Sequence, residues 1–214
     1  MKFIQFKDAL KDFTVFSLND IQMIDPHFHR RRLIEWQKKG YIKKIAKGCY
    51  IFSDLTVDEN VLFEIANRLY NPSYVSLESA LSFHQIIPEA VYGITSISTR
   101  RTYSFSTPLG KFQYRTVKPD LFFGYQIVSF NSKAFKIADM EKAVLDFFYL
   151  HPELKSKSDI LSLRFNEETF KKKFMWKKFQ NYLRRFAKNA LSERISVFRE
   201  SLKNSEQDKS NAGY

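Results

Sequence analysis

The residues best suited to specific binding, by type and by spacing, are the arginines Arg30 and Arg31 and the lysines that follow them. An arginine fork can donate two hydrogen bonds to O6 and N7 of a guanine, and each such pair discriminates by about 1–3 kcal/mol. Lysine is better suited to phosphate, which positions a protein on DNA without selecting its sequence. The predicted base contacts also include Ile34, which can meet a thymine methyl group. The full predicted DNA-binding set is Arg30, Arg31, Ile34, Lys38, Lys43, Lys44 and Lys47.

Helical periodicity indicates the elements that would position these side chains. Apolar residues spaced by three and four from Phe3 to Phe13 predict a first helix. Ser17 is suited to cap a short helix over 18–24, with Asp20 three residues later as the second member of a capping box. Asp25 and Pro26 then predict the cap and first turn of a third helix, which runs to about Lys39 and ends at Gly40.

The third helix is predicted to be amphipathic. A helical wheel places Phe28, Leu33 and Trp36 together, while Arg30, Arg31, Ile34 and Lys38 point away from them. Two β-rich runs follow from Tyr41 to Phe52, separated by a turn at Gly48. Three helices followed by a basic hairpin is the element order of a winged helix-turn-helix. The second helix of the helix-turn-helix unit normally enters the major groove of DNA. We therefore predict a DNA-binding domain over residues 1–55.

The remaining chain predicts an α+β domain over residues 56–203 with helices at its C-terminal end, and a flexible polar tail over 204–214. Strands are expected at 94–98, 111–117 and 125–130. Helices are expected over 59–70, from Ser76, over 138–150 and within 167–203. The predicted fold class is thus α+β, with a winged helix-turn-helix ahead of a mixed domain.

Composition and charge limit the function classes. The net charge of +12 and pI of about 9.6 favour polyanionic partners, nucleic acid before an anionic membrane. No window approaches the about 20 apolar residues of a membrane span, and the N-terminus lacks a secretory signal, so we expect a cytoplasmic protein without a membrane partner. Cys49 is the only cysteine, which excludes an intramolecular disulfide and multi-cysteine metal sites.

The sequence does not indicate a metal or catalytic site. His27 and His29 are two residues apart, which separates them around a helix, so we expect His27 to face solvent or phosphate and His29 to lie near Leu33. Cys49 follows a turn glycine and suits a strand better than a nucleophile. We expect no metal, no cofactor and no enzymatic activity.

Several motifs in order resemble the AbiEi family of antitoxins. The segment Leu33–Ile51 resembles the family's winged-helix segment, with matches at Gly40, Gly48 and Tyr50. The later matching segments are Tyr74–Leu81 followed by Ile87-Pro88-Glu89, then Gly110–Tyr114, then Phe135–Asp146 with Met140 where the family usually has proline.

The resemblance implies a type IV antitoxin that represses its own operon and counters a nucleotidyltransferase toxin, commonly without a stable complex. Expected partners are double-stranded promoter DNA, bound by a homodimer or cooperatively, and RNA as a further nucleic acid. Tyr74, Phe112, Tyr114 and the pair Arg100-Arg101 are candidates for stacking and phosphate contact, or are core and surface. The antitoxin-domain candidates are Tyr74, Ser76, Ser79, Arg100, Arg101, Tyr114, Glu141, Lys142 and Asp146.

Other interpretations remain open from sequence. The spacing of Lys142 and Asp146 predicts a plain surface pair on one helix. Asp120 with Glu141 and Lys142 faintly resembles a restriction-type nuclease, although the acid and lysine are adjacent rather than separated. A winged-helix regulator of DNA or RNA without a toxin partner is the main alternative. The C-terminal stretch is either a core helix or a second nucleic-acid surface. Its apolar positions are Phe179, Leu183, Phe186, Ala190 and Leu191, and its basic positions are Lys177, Lys178, Arg184, Arg185 and Lys188.

Overall fold

The computed structural model describes residues 2–88 and 92–211, with side chains described up to residue 202. Over these residues the chain is 46% helical and 22% strand, with ten helices and two sheets, so the predicted mixture of α and β structure is confirmed. The elements in chain order are α1 Phe3–Ala9, β1 Phe16–Ser17, α2 Leu18–Ile24, α3 Arg31–Lys38, β2 Ile42–Ala46, β3 Cys49–Phe52, α4 Glu59–Leu69, β4 Ser73–Val75, α5 Leu77–Phe83, β5 Ile94–Ser98, β6 Tyr103–Thr107, β7 Gly110–Thr116, β8 Tyr125–Phe130, β9 Lys133–Ala138, α6 Met140–Leu150, α7 Lys157–Ser162, α8 Glu167–Lys173, α9 Trp176–Phe186 and α10 Asn189–Asn211.

The N-terminal unit has an aromatic core. Phe6, Trp36 and Phe52 are buried together between α1, α3 and a small antiparallel sheet of order β1-β3-β2. The predicted cap of α2 is confirmed, because the backbone N–H of Asp20 donates to Ser17 Oγ and the Asp20 carboxylate accepts from the backbone N–H of Ser17.

The predicted start of the third helix was wrong. Asp25 and Pro26 form a turn in which the carbonyl of Asp25 accepts a hydrogen bond from the backbone N–H of Phe28. The side chain of Asp25 accepts another from the backbone N–H of His27. Aspartate followed by proline favours such a turn as readily as a cap, and α3 begins only at Arg31. Phe28 is still buried, but from the turn, and His29 is exposed instead of lying near Leu33.

The larger sheet has the strand order β6-β7-β5-β4-β9-β8. The pairs β4–β9 and β5–β7 are parallel, and the others are antiparallel. On one face, Tyr114 on β7 donates a hydrogen bond to the carbonyl of Ala66 in α4. On the other face, Tyr74 on β4 donates to Asp146 in α6. Helices thus cover both faces of the sheet, which buries its central strands.

The C-terminal helices pack against α6 through aromatic side chains such as Phe148, Phe165 and Phe198. One prediction for this region was wrong. The apolar side expected over 179–191 belongs to two helices, because Ala187 has a φ of +46° between them, and Ala190 is exposed. The helix α10 continues to Asn211, within the range expected to form the tail. Residues 212–214, like Glu89, lie outside the described residues.

Polar contacts join residues 1–55 to the rest of the chain. Thr14 donates a hydrogen bond to the buried carboxylate of Glu64 in α4, and Lys133 donates to the Thr14 hydroxyl at 2.6 Å. Arg68 donates to the same carboxylate at 2.9 Å. Among the described residues, no helix combines the length and the apolar composition required to cross a lipid bilayer.

Candidate nucleic-acid interface and buried polar cluster

The outer face of α3 is basic and exposed. Arg30 precedes the helix at its N-cap position, and Arg31 and Lys38 lie in its first and last turns. Ile34 lies between them with 55% of its surface exposed, whereas Leu33 and Trp36 are buried on the inner face. The helix is held by this inner face, since the ring of Trp36 lies 4.5 Å from that of Phe6. The predicted division of the helix into an apolar side and a basic side is confirmed.

The β2–β3 hairpin presents three more cations. Lys43, Lys44 and Lys47 are exposed, while Ile42 and Ile45 of the same strand are buried. Gly48 at the turn has a φ of +77°, a conformation that favours glycine. The buried isoleucines therefore anchor the hairpin on one side, and the lysines form a basic surface on the other.

A cleft of about 290 Å³ continues this basic surface from the hairpin turn to β6. Its cations are Lys47, Arg100 and Arg101, and no carboxylate is among the described residues that line it. Arg100 lies with its guanidinium carbon 4.3 Å from the centre of the Tyr70 ring and donates to the carbonyl of Asn71. The ring of Tyr70 stacks on that of Tyr103, which is 44% exposed. A cleft with this lining attracts anions.

Four of the antitoxin-domain candidates come together in a cluster that is closed to solvent. Lys142 and Asp146 form an ion pair, and both side chains are fully buried. Tyr74 and Ser76 each donate a hydrogen bond of 2.9 Å to Oδ2 of Asp146. The Lys142 ammonium also donates to the Tyr74 hydroxyl at 2.9 Å and lies about 5 Å from the rings of Phe123 and Phe186. The predicted surface pair was therefore wrong.

Electrostatics in this cluster follow from its burial. Loss of hydration lowers the pKa of the Lys142 ammonium and raises the pKa of the Asp146 carboxyl, since each charged form is disfavoured away from water. Burial, and then the charge of Asp146, raise the pKa of Tyr74 well above its ordinary value. The Tyr74 hydroxyl therefore stays protonated as a donor, and the cluster ties β4 to α6 rather than contacting a partner.

The other antitoxin-domain candidates are separated from this cluster. Ser79 accepts a hydrogen bond from the backbone N–H of Thr95. Tyr114 is 1% exposed and donates to the carbonyl of Ala66, so its ring is not free to stack on a base. Phe112 and Tyr74 are equally buried, which excludes the stacking role considered for them and confirms the core interpretation. Glu141 accepts from the backbone N–H of Met175 and pairs with Lys178.

No protein-family model and no curated protein matches this chain. The exposed basic surface and its geometry are thus the basis for a functional assignment.

The structure does not assemble the acids and lysine considered for a nuclease. Lys142 is directed at Asp146 and Tyr74, Glu141 contacts Lys178, and Asp120 is exposed. Groups of three or more metal-ligating side chains are absent from the described residues. Cys49 lies half-buried on β3, and burial raises the pKa of its thiol, which makes the thiolate scarcer.

The C-terminal basic residues divide between two roles. Lys178 pairs with Asp139 and Glu141, and Arg185 lies over the ring of Phe123 and donates to the carbonyl of Asp120. Lys188 lies over Tyr149. These three cations contact carboxylates or rings of the protein itself, although Arg185 and Lys188 are exposed, as are Lys177 and Arg184. Tyr70 and Tyr103 in the basic cleft had no distinguishing signal in the sequence, because the strand over 103–107 was not predicted.

Proposed function

We propose that this protein is a sequence-specific DNA-binding regulator, with a winged helix-turn-helix over residues 1–55. In this proposal α2 and α3 are the helix-turn-helix pair, α3 enters the major groove, and the β2–β3 hairpin is the wing. The observation that carries the proposal is the exposed basic face of α3 beside the three exposed hairpin lysines on one small unit. Arg30 and Arg31 stand at the N-terminal end of α3, where recognition helices commonly contact base edges.

The basic cleft supports an extended contact with the DNA backbone. Lys47 lies both at the hairpin turn and in the cleft. A DNA strand bound by the hairpin lysines would therefore continue towards Arg100 and Arg101. Phosphates bound there would add affinity without adding sequence selectivity. A small winged helix alone has a limited footprint, and these contacts enlarge it.

The resemblance to AbiEi antitoxins supports a biological setting, in which the protein represses its own operon and counters a nucleotidyltransferase toxin. One of the motifs that carry this resemblance contains Glu141, Lys142 and Asp146, all buried. In this proposal the motif preserves the domain's packing, and contacts with any partner fall to exposed residues. Coexpression with a nucleotidyltransferase encoded beside the gene tests this setting; continued growth inhibition would favour a regulator without a toxin partner.

DNA recognition is tested by fluorescence anisotropy with the protein's own promoter, a scrambled duplex of equal length and a single-stranded RNA. We expect promoter binding at least about a thousandfold tighter than scrambled-duplex binding, with a steep dependence on salt. Equal weak binding to all three probes would overturn sequence-specific regulation and leave only a general basic surface.

A further inference from the structure

A second cleft, of about 340 Å³, lies on the opposite side of β7 from Tyr114. Its floor includes Thr95 and Gln113, which are register partners on β5 and β7, and Arg115 two residues farther along β7. Its walls include Glu78 in the first turn of α5 and His151 immediately after α6. The cleft therefore brings together polar side chains from four parts of the chain, none of which belongs to the basic surface described above.

Glu78 has an oxygen that lacks a donor. Its Oε2 atom is buried and receives no hydrogen bond from the described residues. Its Oε1 atom is 3.7 Å from Nε2 of His151, which is longer than a hydrogen bond. The other ring nitrogen of His151 lies 2.9 Å from the carbonyl of Phe147 and must donate to it, since a carbonyl only accepts. The Glu78 side chain as a whole is 33% exposed, so its carboxylate borders the cleft, and an incoming N–H group would supply the missing donor.

Arg115 offers the opposite charge in the same cleft. Its guanidinium makes a long hydrogen bond of 3.4 Å to the carbonyl of Leu150. A guanidinium carries five N–H donors in a planar fork, so donors remain for an anion. Carboxylates match this fork with two parallel hydrogen bonds.

We propose that this cleft binds a free α-amino acid, with its ammonium group on Glu78 and its carboxylate on Arg115. A simple anion would leave Glu78 without a donor, and a simple cation would leave Arg115 without an acceptor. A zwitterion satisfies both, and the cleft volume is at the small end of the range typical of ligand sites. A nucleic acid fits poorly because its phosphates would meet the Glu78 carboxylate. This site is independent of the proposed DNA recognition.

The test uses the full chain and each of the twenty standard L-amino acids at millimolar concentration, followed by calorimetric titration of those that raise the melting temperature. We expect saturable binding of at least one amino acid. Its N-acetyl and carboxamide derivatives, which each lack one charge, should bind at least about tenfold more weakly.

Glu78→Gln and Arg115→Leu should each weaken that binding by at least about tenfold, whereas the exposed Glu153→Gln should leave it unchanged. Circular dichroism and the melting temperature establish that the variants remain folded. Absence of binding by all twenty amino acids would overturn the proposal. Binding that neither substitution weakens, or binding of guanosine or adenosine monophosphate without any amino acid, would overturn it as well.

Discussion

Lys142 and Asp146 form an ion pair one helical turn apart with both side chains fully buried. Each oxygen of the carboxylate has a donor, because Lys142 contacts Oδ1 while Tyr74 and Ser76 donate to Oδ2. Removing water from two charges is expensive, and such a pair persists only where its hydrogen bonds are complete. The pair thus makes the packing of α6 on β4 dependent on four specific side chains.

Lys142→Met should lower the free energy of unfolding by about 3–5 kcal/mol, because it leaves the buried Asp146 carboxylate without its cation. The double variant Lys142→Met/Asp146→Leu should recover only part of this loss, because it removes the unpaired charge but leaves the buried Tyr74 and Ser76 hydroxyls without their acceptor. Urea denaturation followed by tryptophan fluorescence measures both.

Lys172→Met provides the matched control for that series, since Lys172 pairs with Glu168 at the same helical spacing but on the exposed surface. It should change stability little. A Lys142→Met variant no less stable than this control would contradict the structural role of the buried pair.

Arg30→Glu/Arg31→Glu should weaken promoter binding by more than about a hundredfold and remove the preference over scrambled DNA, since each arginine contributes about 1–3 kcal/mol of base discrimination. Lys155→Glu/Lys157→Glu produces the same change in net charge at exposed residues at the start of α7 and should preserve the preference. Anisotropy titrations of the two double variants decide the matter; equal losses in both would assign the effect to net charge.

Replacing Lys43, Lys44 and Lys47 with glutamine should reduce the slope of log affinity against log salt by about 2.7, because each phosphate contact releases about 0.9 counterion. The ratio of promoter to scrambled-duplex affinity should hardly change, since phosphate contacts carry no sequence information. An unchanged slope would show that the hairpin does not contact DNA.

Arg100→Gln/Arg101→Gln should weaken binding to promoter and scrambled duplex by the same factor, because these side chains are proposed to meet phosphates beyond the wing. Arg100 also stacks on Tyr70, so the melting temperature of the variant is measured alongside. Unchanged affinity in a folded variant would confine the DNA contact to residues 1–55.

His84 should make stability depend on pH. Its Nε2 atom is 2.8 Å from the carbonyl of Ala138, and burial lowers the pKa of the imidazole below 6.5. The unfolded chain therefore binds a proton more readily than the folded chain, and stability should fall as the pH decreases below about 6.5. His84→Gln should show a smaller loss of unfolding free energy between about pH 8 and pH 5, while exposed His27→Gln should match the wild type. Equal pH profiles for all three proteins would exclude this contribution.

Local sequence patterns predicted several elements correctly because their causes are local. The capping pair Ser17 and Asp20, the stop at Gly40 and the turn at Gly48 depend on residues within a few positions of one another. The strands over 94–98 and 125–130 were predicted at their observed bounds from β-rich runs between turns.

Tertiary structure decided the features that depend on distant contacts. The short strands β1, β4, β6 and β9 and the helix α7 were not predicted, since the strands gain their hydrogen bonds from partners far along the chain. The spacing of Lys142 and Asp146 determined that the two side chains can meet, but not that β4 and the C-terminal helices would bury them. The charge and apolar spacing of α3 were likewise determined by sequence alone. The cleft that aligns Lys47 with Arg100 and Arg101 exists only because folding places a hairpin beside a strand more than fifty residues away.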